Sequence, residues 1–519
     1  MTVLAPVEVT LGRLFPGRKL PLSCARTSIK NIQIDSRKVQ PGSVFIALKA
    51  WDGSAYGDQY IDAAITAGAV AILFESPDDS LCESEPVIQI GVKNLAQKLS
   101  QIAGYFYNDP SMHLPVIAIT GTNGKTTCAQ LLAQLFALQG KNAGIIGTLG
   151  AGIWSANDDA VELEKTGFTT PDAVTTQALI SQLVRQRADL INIEVSSHAL
   201  TQFRVAAVNI DTAILTNLSR DHLDFHGDMQ AYAESKAQLF QYSSLHTAII
   251  NIDDAFGCEL QRSLIDKPYR LLTYSRQARD ADIFASQVNY SNQGMRANIQ
   301  TPWGCGELCS SLLGAFNLSN LLAVVGAACV QNVKLETVLS LLPQLKSTAG
   351  RMQSVALSVD QDISVVIDFA HTPDALKNTL QALRTQTKGK LICVFGCGGD
   401  RDVGKRALMG ATAANLADSV ILTSDNPRSE NPQKIVADIV VGIDKPLDGV
   451  DKKNANVLIK LDRGQAISLA IAKAYAGDTV LIAGKGHETE QIFSDYSEFF
   501  SDSEQAESAL NLRLSGGGL

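Results

Sequence analysis

Four stretches of the chain combine residue types that could act on phosphates and carboxylates. The first reads IAITGTNGKTT over residues 117 to 127. Backbone N–H groups of Gly121, Thr122, Asn123 and Gly124 would face phosphate oxygens, helped by the positive end of the helix that follows. Lys125 would bring charge to the β- and γ-phosphates, and Thr126 a hydroxyl for Mg²⁺. The usual phosphate-loop spacing, G-x-x-x-x-G-K-[ST], wants a glycine at position 119, where Ile119 stands, so the match is partial. The competing reading is a tight glycine turn before an exposed lysine.

The second stretch, LINIEV, brings Glu194 to the end of an apolar run, where nucleotide-binding sheets present an acid to a metal. Taken alone, that carboxylate reads as a cap for the next segment; a phosphate loop upstream in the same sheet puts the metal reading ahead. In the third, MQAYAESKAQLF, a helical reading puts Tyr232, Lys236, Leu239 and Phe240 on one stripe, so Lys236 falls on the apolar face. A buried lysine is costly unless paired or chemically altered, and snorkelling to the surface is the plainer account. His222, upstream, is open between a ligand and a structural histidine, and Arg204 between a phosphate partner and a solvated charge. The fourth, DNPR (Asp425, Asn426, Pro427, Arg428), reads by itself as a proline turn after a strand.

These residues need a scaffold, and the apolar runs supply one. PVIAIT leads through glycines into TTCAQLLAQLFALQ, whose apolar residues recur at helical spacing up to Gly140. LINIEV, TAILTN and TAIIN continue the alternation to about Leu345, which predicts a mostly parallel sheet covered on both faces. From Gly350 a second doubly wound unit begins, with SVVIDF, LICVFG, SVILTS and TVLIA as strands and ligands expected at their carboxyl ends. Before residue 112, VFIAL and VAILF predict a small α/β domain. The expected fold is therefore α/β in three domains, at 1–112, 113–346 and 347–519, the central one a P-loop sheet and the last Rossmann-like. A length of 519 residues agrees with several cores.

Composition narrows the partners. Apolar residues make up 45% and charged ones 19%, as in an ordinary soluble globular protein. A net charge of -9 offers no general attraction to nucleic acid. Nine cysteines without a C-x-x-C pair argue for reduced thiols and against zinc, Cys305/Cys309 and Cys393/Cys397 being the closest to ligand spacing. The opening MTVLAPVEVTLGRLFPG lacks the features of a signal or transit peptide, and no run is long enough to span a bilayer. A soluble, cytoplasmic, monomeric protein is the expectation.

Ten motifs occur together: GTNGKTT, TTPDA, EVSSHAL, TNLSRDHLDFHG, GAFNLSN, GRM, DFAHTPDAL, GCGGDRDVGKR, DNPR and GKGHE, in that order. In this the chain resembles the Mur ligases over nearly its whole length, and the shortened phosphate loop is the form that family uses. The resemblance implies that ATP phosphorylates the free carboxylate of a nucleotide-linked peptide, and that an amine then attacks the acyl phosphate. It implies ATP contacts along Gly121 to Thr127 and from Asn317, Arg351, Asp368 and His371. One Mg²⁺ would lie on Thr126 and Glu194, and a second on His222 and a carbamate of Lys236, with Lys125 stabilising developing charge.

The same resemblance assigns UDP-N-acetylmuramoyl-L-alanyl-D-glutamate to Ser36 of IDSR and to Thr169, Thr170, Ser196, Gln202 and Arg204. The family's first-domain loop, G-x-x-x-D-G-H, is replaced here by KAWDGSAYGDQY, so no uracil contacts carry over. For the amino acid, meso-2,6-diaminopimelate, it assigns Arg401, the DNPR residues, Gly484 and Glu488. Arg428 offers a planar fork for the distal carboxylate that L-lysine lacks. The alternatives are the same reaction with L-lysine, a folylpolyglutamate-type activity, a P-loop ATPase motor, and a non-catalytic scaffold; a scaffold need not keep Lys125, Glu194, Lys236 and Arg428, all of which are present.

Overall fold

The computed structural model describes residues 9–49, 57–82, 87–155, 163–291, 294–358, 361–444 and 455–515. Among the described residues three large sheets follow one another along the chain, with two two-stranded ones beside them. The first has five strands, in the order Asn31–Gln33, Ser43–Ala47, Ala71–Glu75, Ile88–Val92, Ser80–Cys82, and only the last pairing is antiparallel. The central sheet has ten strands, and its middle is the parallel set Ala143–Gly147, Leu190–Glu194, Val116–Thr120, Thr212–Leu215, Thr247–Asn251 and Arg270–Ser275. The third has six, with Ser364–Asp368, Thr479–Ala483, Leu391–Phe395, Ser419–Leu422 and Asn456–Ile459 parallel and Gln353–Val355 antiparallel at its edge.

The five parallel strands of the central sheet from Ala143–Gly147 to Thr247–Asn251 are buried from end to end because helices cover both faces. Along Val116–Thr120, Ile117 and Ile119 pack into one core with the helices Lys125–Leu138 and Ala315–Val330, while Val116 and Ala118 enter the opposite core with Ala173–Arg185. A period of two delivers successive side chains to the two faces, so such strands read as continuous apolar runs. Removing one such side chain, as in Ile119→Ala, costs about 2–5 kcal/mol.

The central sheet departs from the expected alternation at both edges, the near one closed by Gly150–Trp154, antiparallel to Ala143–Gly147. Its far end is an antiparallel meander, Ile283–Ser291, Gly294–Thr301 and Gly304–Ser310. Gly294–Thr301 alternates buried and exposed residues after its first two positions, so one face meets solvent. The predicted helical stripe also takes a modified form: Met229–Ala237 is α-helical and Gln238–Gln241 a tighter 3₁₀ turn, yet Tyr232, Lys236, Leu239 and Phe240 all end up buried. Among the described residues no helix is long and apolar enough to cross a membrane.

Candidate active site

The carboxyl ends of three neighbouring strands build the phosphate end of the site. Gly121 follows Val116–Thr120 with φ 146°, and a Cβ there would lie 1.9 Å from Thr216 Oγ1; Gly124 has φ 92°, and a Cβ there would lie 2.6 Å from Asn320 Oδ1. Close approach therefore fixes the glycines where they are. The loop's own amides are partly committed: Thr122 N–H donates to the Asn217 carbonyl and Asn123 N–H to Asn217 Oδ1, both at 2.9 Å. The anion-facing amides are then those opening the helix at Lys125, Thr126 and Thr127, which have no acceptor within the helix. Gly124 precedes them with no side-chain cap.

Lys125 folds back on the loop, its Nζ donating to the carbonyls of Gly121 (2.7 Å) and Thr122 (3.0 Å). Burial, then the charge of Arg351, pull its pKa below the ordinary lysine value, with Glu194 opposing. Glu194 is fully buried; its Oε2 accepts from Thr126 Oγ1 at 2.8 Å and Thr148 Oγ1 at 3.0 Å, and its Oε1 from Thr148 N–H. Lys236 is buried, its Nζ 4.4 Å from the centre of the Tyr232 ring, and burial together with Lys125 holds its amine well below the usual range. His222, in a left-handed conformation, lies 3.4 Å from Asp221 Oδ2, and burial lowers its pKa to about 3. Among the described residues no three His, Cys, Asp or Glu side chains form a metal cluster. A hydroxyl beside one carboxylate is nonetheless a donor set that suits Mg²⁺, which completes its shell with waters and phosphates.

A cavity of about 250 Å³ runs from Gly124 and Thr127 past Phe316, Asn317 and Asn320 to Arg351 and Asp368. Arg351 lies over the Phe369 ring at 4.4 Å, and its buried Nε has no acceptor. An orphaned guanidinium donor beside this cavity suits an anion such as a nucleotide phosphate. Asp368 accepts from Met352 N–H, Ala370 N–H and Thr379 Oγ1, while burial raises its pKa. His371 reaches back to Asp221 Oδ2 at 3.4 Å, and Lys405 meets the other oxygen at 3.2 Å. With Arg220 gripping Asp402 through both oxygens, these contacts join the central and third sheets.

The residues assigned to the nucleotide-linked peptide converge, except one. Arg204 donates to the Thr170 carbonyl at 2.7 Å and grips Gln202 Oε1; Thr170 Oγ1 bonds the Glu194 carbonyl and accepts from Ser196 N–H; Thr169 Oγ1 lies 3.0 Å from Thr148 Oγ1. Ser36 opens the short 3₁₀ turn Ser36–Lys38 in the first sheet's region, and among the described residues no hydrogen bond links it to that cluster. Most of the divergent loop, 50–56, lies outside the described residues.

At the carboxyl end of the third sheet, DNPR and GKGHE meet. Gly484 has φ 115°, and a Cβ there would sit 2.5 Å from Asp425 Oδ2. Asn426 donates through Nδ2 to Glu488 Oε2 at 2.8 Å. Arg428 donates to the Gly399 carbonyl and Arg401 to the Asp400 carbonyl, each at 2.8 Å. Neither has an ion pair among the described residues. Burial and the Arg401 charge lower the Arg428 pKa. Pro427 turns the chain between Asn426 and Arg428. The result is two neighbouring guanidiniums beside a carboxylate, a pattern suited to a ligand carrying both carboxylate and ammonium groups.

Motif reading passed over Thr148, Asn217, Asp221, Lys405, Lys485 and His487. Thr148 follows the apolar run AGIIG; Asn217 and Asp221 stand inside TNLSRDHLDFHG, Lys405 inside GCGGDRDVGKR, and Lys485 and His487 inside GKGHE.

A P-loop on a parallel sheet, joined to a second doubly wound sheet with two neighbouring guanidiniums at its carboxyl end, defines an ATP-using ligase architecture. Three family profiles match: the Mur ligase family catalytic domain over 28–107, the Mur ligase middle domain over 119–328 and the Mur ligase glutamate ligase domain over 350–486. The chain belongs to the Mur ligase family. It is 46% identical over 491 residues to the UDP-N-acetylmuramoyl-L-alanyl-D-glutamate--2,6-diaminopimelate ligase of Ectopseudomonas mendocina, covering 95% of this chain and 97% of that one. The protein of the same name from Coxiella burnetii is 44% identical, with 96% and 99% covered. A solved structure of such a ligase matches with TM-score 0.68 and 35% identity over 98% of this chain and 100% of that one. MurF from Acinetobacter baumannii, 19% identical with 88% and 91% covered, shares the fold at TM-score 0.62.

Proposed function

We propose that the chain is an ATP-dependent ligase joining meso-2,6-diaminopimelate to UDP-N-acetylmuramoyl-L-alanyl-D-glutamate in peptidoglycan precursor synthesis. Identity of 44–46% to ligases of that name over nearly full length supports the reaction. The observation that carries the substrate choice is the Arg401–Arg428 pair, two adjacent cations beside Glu488. A carboxylate there relieves their mutual repulsion, whereas the ammonium end of lysine adds to it.

In this reading the first segment, 1–112, and the cluster around Arg204 bind the UDP-linked peptide, 113–346 binds ATP, and 347–519 binds the amino acid. The free glutamyl carboxylate attacks the γ-phosphorus; ADP leaves, and the acyl phosphate gives a carbonyl with a good leaving group. The deprotonated amine of diaminopimelate then adds to that carbonyl and inorganic phosphate departs, leaving an amide. Lys125 swings from its carbonyl partners toward the transferring phosphoryl group, whose developing charge it stabilises. Arg351 and Asn317 orient the nucleotide, and Asp368 and His371 hold the wall beside it. Mg²⁺, held by Thr126 and Glu194 and, for a second ion, by His222 and a Lys236 carbamate, would neutralise phosphate charge. A neutral buried amine is the form that adds carbon dioxide, and the low proton affinity of Lys236 supports that modification. A monomer in the cytoplasm completes the proposal.

The test is phosphate release from ATP, Mg²⁺ and the UDP-linked dipeptide with either diaminopimelate or L-lysine. Release with diaminopimelate alone is expected; release with lysine would overturn the pocket assignment, and none with either would overturn the ligase.

A further inference from the structure

GKGHE contributes Gly484 and Glu488 to the amino-acid pocket, yet the most enclosed side chain of that motif is Lys485, which is 0% exposed. Its ammonium has three N–H groups and three acceptors: Asn426 Oδ1 at 2.9 Å, Glu488 Oε2 at 3.0 Å and the Glu490 carbonyl at 2.6 Å. Those acceptors come from three segments, the DNPR loop, the GKGHE loop and the strand Glu490–Ile492. We propose that Lys485 is the positioning residue of the diaminopimelate pocket, orienting Glu488 toward the substrate ammonium and fixing the loop that carries Arg428. This rests on the reading of that pocket as the amino-acid site.

The hydrogen bonds give the reason. Glu488 Oε2 takes two donors, Asn426 Nδ2 at 2.8 Å and Lys485 Nζ, and Glu488 is one-third exposed, so its carboxylate is anchored through one oxygen with the other left to a ligand. Asn426 Oδ1 also accepts from Ile492 N–H at 3.1 Å, and the Ile492 carbonyl accepts from Arg428 N–H at 3.0 Å. Arg428 sits at φ 50°, a conformation that a non-glycine residue holds only when its surroundings enforce it. Lys485 thus ties together the group that would read the ammonium and the backbone that aims the guanidinium. A buried ammonium with every proton placed is a rigid joint, and removing it takes a donor from the Glu490 carbonyl, from Asn426 Oδ1, which keeps Ile492 N–H, and from Glu488 Oε2, which keeps Asn426 Nδ2.

The experiment is steady-state kinetics of Lys485→Met in the full-length protein, with Arg428→Ala in parallel. The KM for diaminopimelate is expected to rise at least about tenfold while the KM values for ATP and the UDP-linked dipeptide stay within about twofold. Discrimination against L-lysine should fall by at least about tenfold. Combined with Glu488→Gln, the loss in kcat/KM for diaminopimelate should be at least about threefold smaller than the product of the single losses. A merely structural lysine would lower Tm and active fraction and leave both the KM split and the discrimination untouched, which would overturn the proposal. If Lys485→Met does not fold, Lys485→Gln, which retains a donor, is measured by the same criteria. Should Arg428→Ala change the diaminopimelate KM while a folded Lys485 variant does not, this inference alone fails; should Arg428→Ala also leave it unchanged, the reading of the pocket fails with it.

Discussion

The phosphate loop and the proposed amino-acid pocket both lie at carboxyl ends of parallel strands, yet they are held in different ways. The loop is one contiguous run whose shape is set by neutral partners: Thr216 Oγ1 donates to the Asn123 carbonyl at 2.6 Å, the Asn217 amide brackets Asn123, and Tyr232 meets the Thr122 hydroxyl at 3.1 Å. The pocket is assembled from loops near residues 400, 426 and 488, and ions hold it. Lys485 pairs with Glu488, and behind them Arg463 grips Asp502 with both partners fully buried. A neutral frame leaves Lys125 bound only to carbonyls, from which the proposed mechanism has it transfer to phosphate. The ionic frame pairs its inner charges and leaves Arg401 and Arg428 bonded only to backbone carbonyls, which on the proposed reading frees them for the ligand.

This contrast orders the expected losses. Lys125→Ala should reduce kcat by about 10³-fold or more, because the charge it supplies has no substitute in a neutral frame; normal turnover would detach the loop from the chemistry. Lys236→Ala should lose about 10²-fold or more in activity and recover part of it with added small carboxylates, read by turnover with and without the additive. Absence of any loss would remove the carbamate. In the pocket the effect should appear as binding: Arg428→Ala should raise the diaminopimelate KM about 10²-fold, with ATP KM little changed. Equal changes in both would erase the distinction between the two regions.

The smallest effect concerns the seam between the regions. His487 packs on Phe369 with the rings tilted by 32° and their centres 5.2 Å apart, Arg351 lies over the same ring, and burial lowers the His487 pKa to about 4. The unfolded chain binds its proton first, near the ordinary 6.5, so this contribution is complete above that pH and is lost as pH falls toward 4. Stability measured by denaturant titration should fall across that window, and His487→Gln should flatten the fall by roughly 1–2 kcal/mol at pH 5. An unchanged slope would show that His487 takes up no proton difference between the two states.

The strands and main helices of the parallel units were legible because burial on both faces demands unbroken apolar runs; TAIIN is the strand Thr247–Asn251 to the residue. The meander from Ile283 to Ser310 was not, since one-sided burial leaves alternating residues that resemble surface loops. The phosphate loop could be read because its glycines, lysine and threonine are adjacent in sequence, although only Thr216 and Asn320 explain why the glycines stand at 121 and 124.

What the sequence determined alone was local: residue types, their order, and the stripe that buries Lys236. What tertiary structure decided was which distant groups meet. Asp221 receives Lys405 and His371 from the third sheet's region, the Arg351 Nε is left without an acceptor, and Lys485 spends all three protons on separate segments. Charges act over a few ångströms in space and are indifferent to separation along the chain, so their pairing becomes visible only when the sheets are in place.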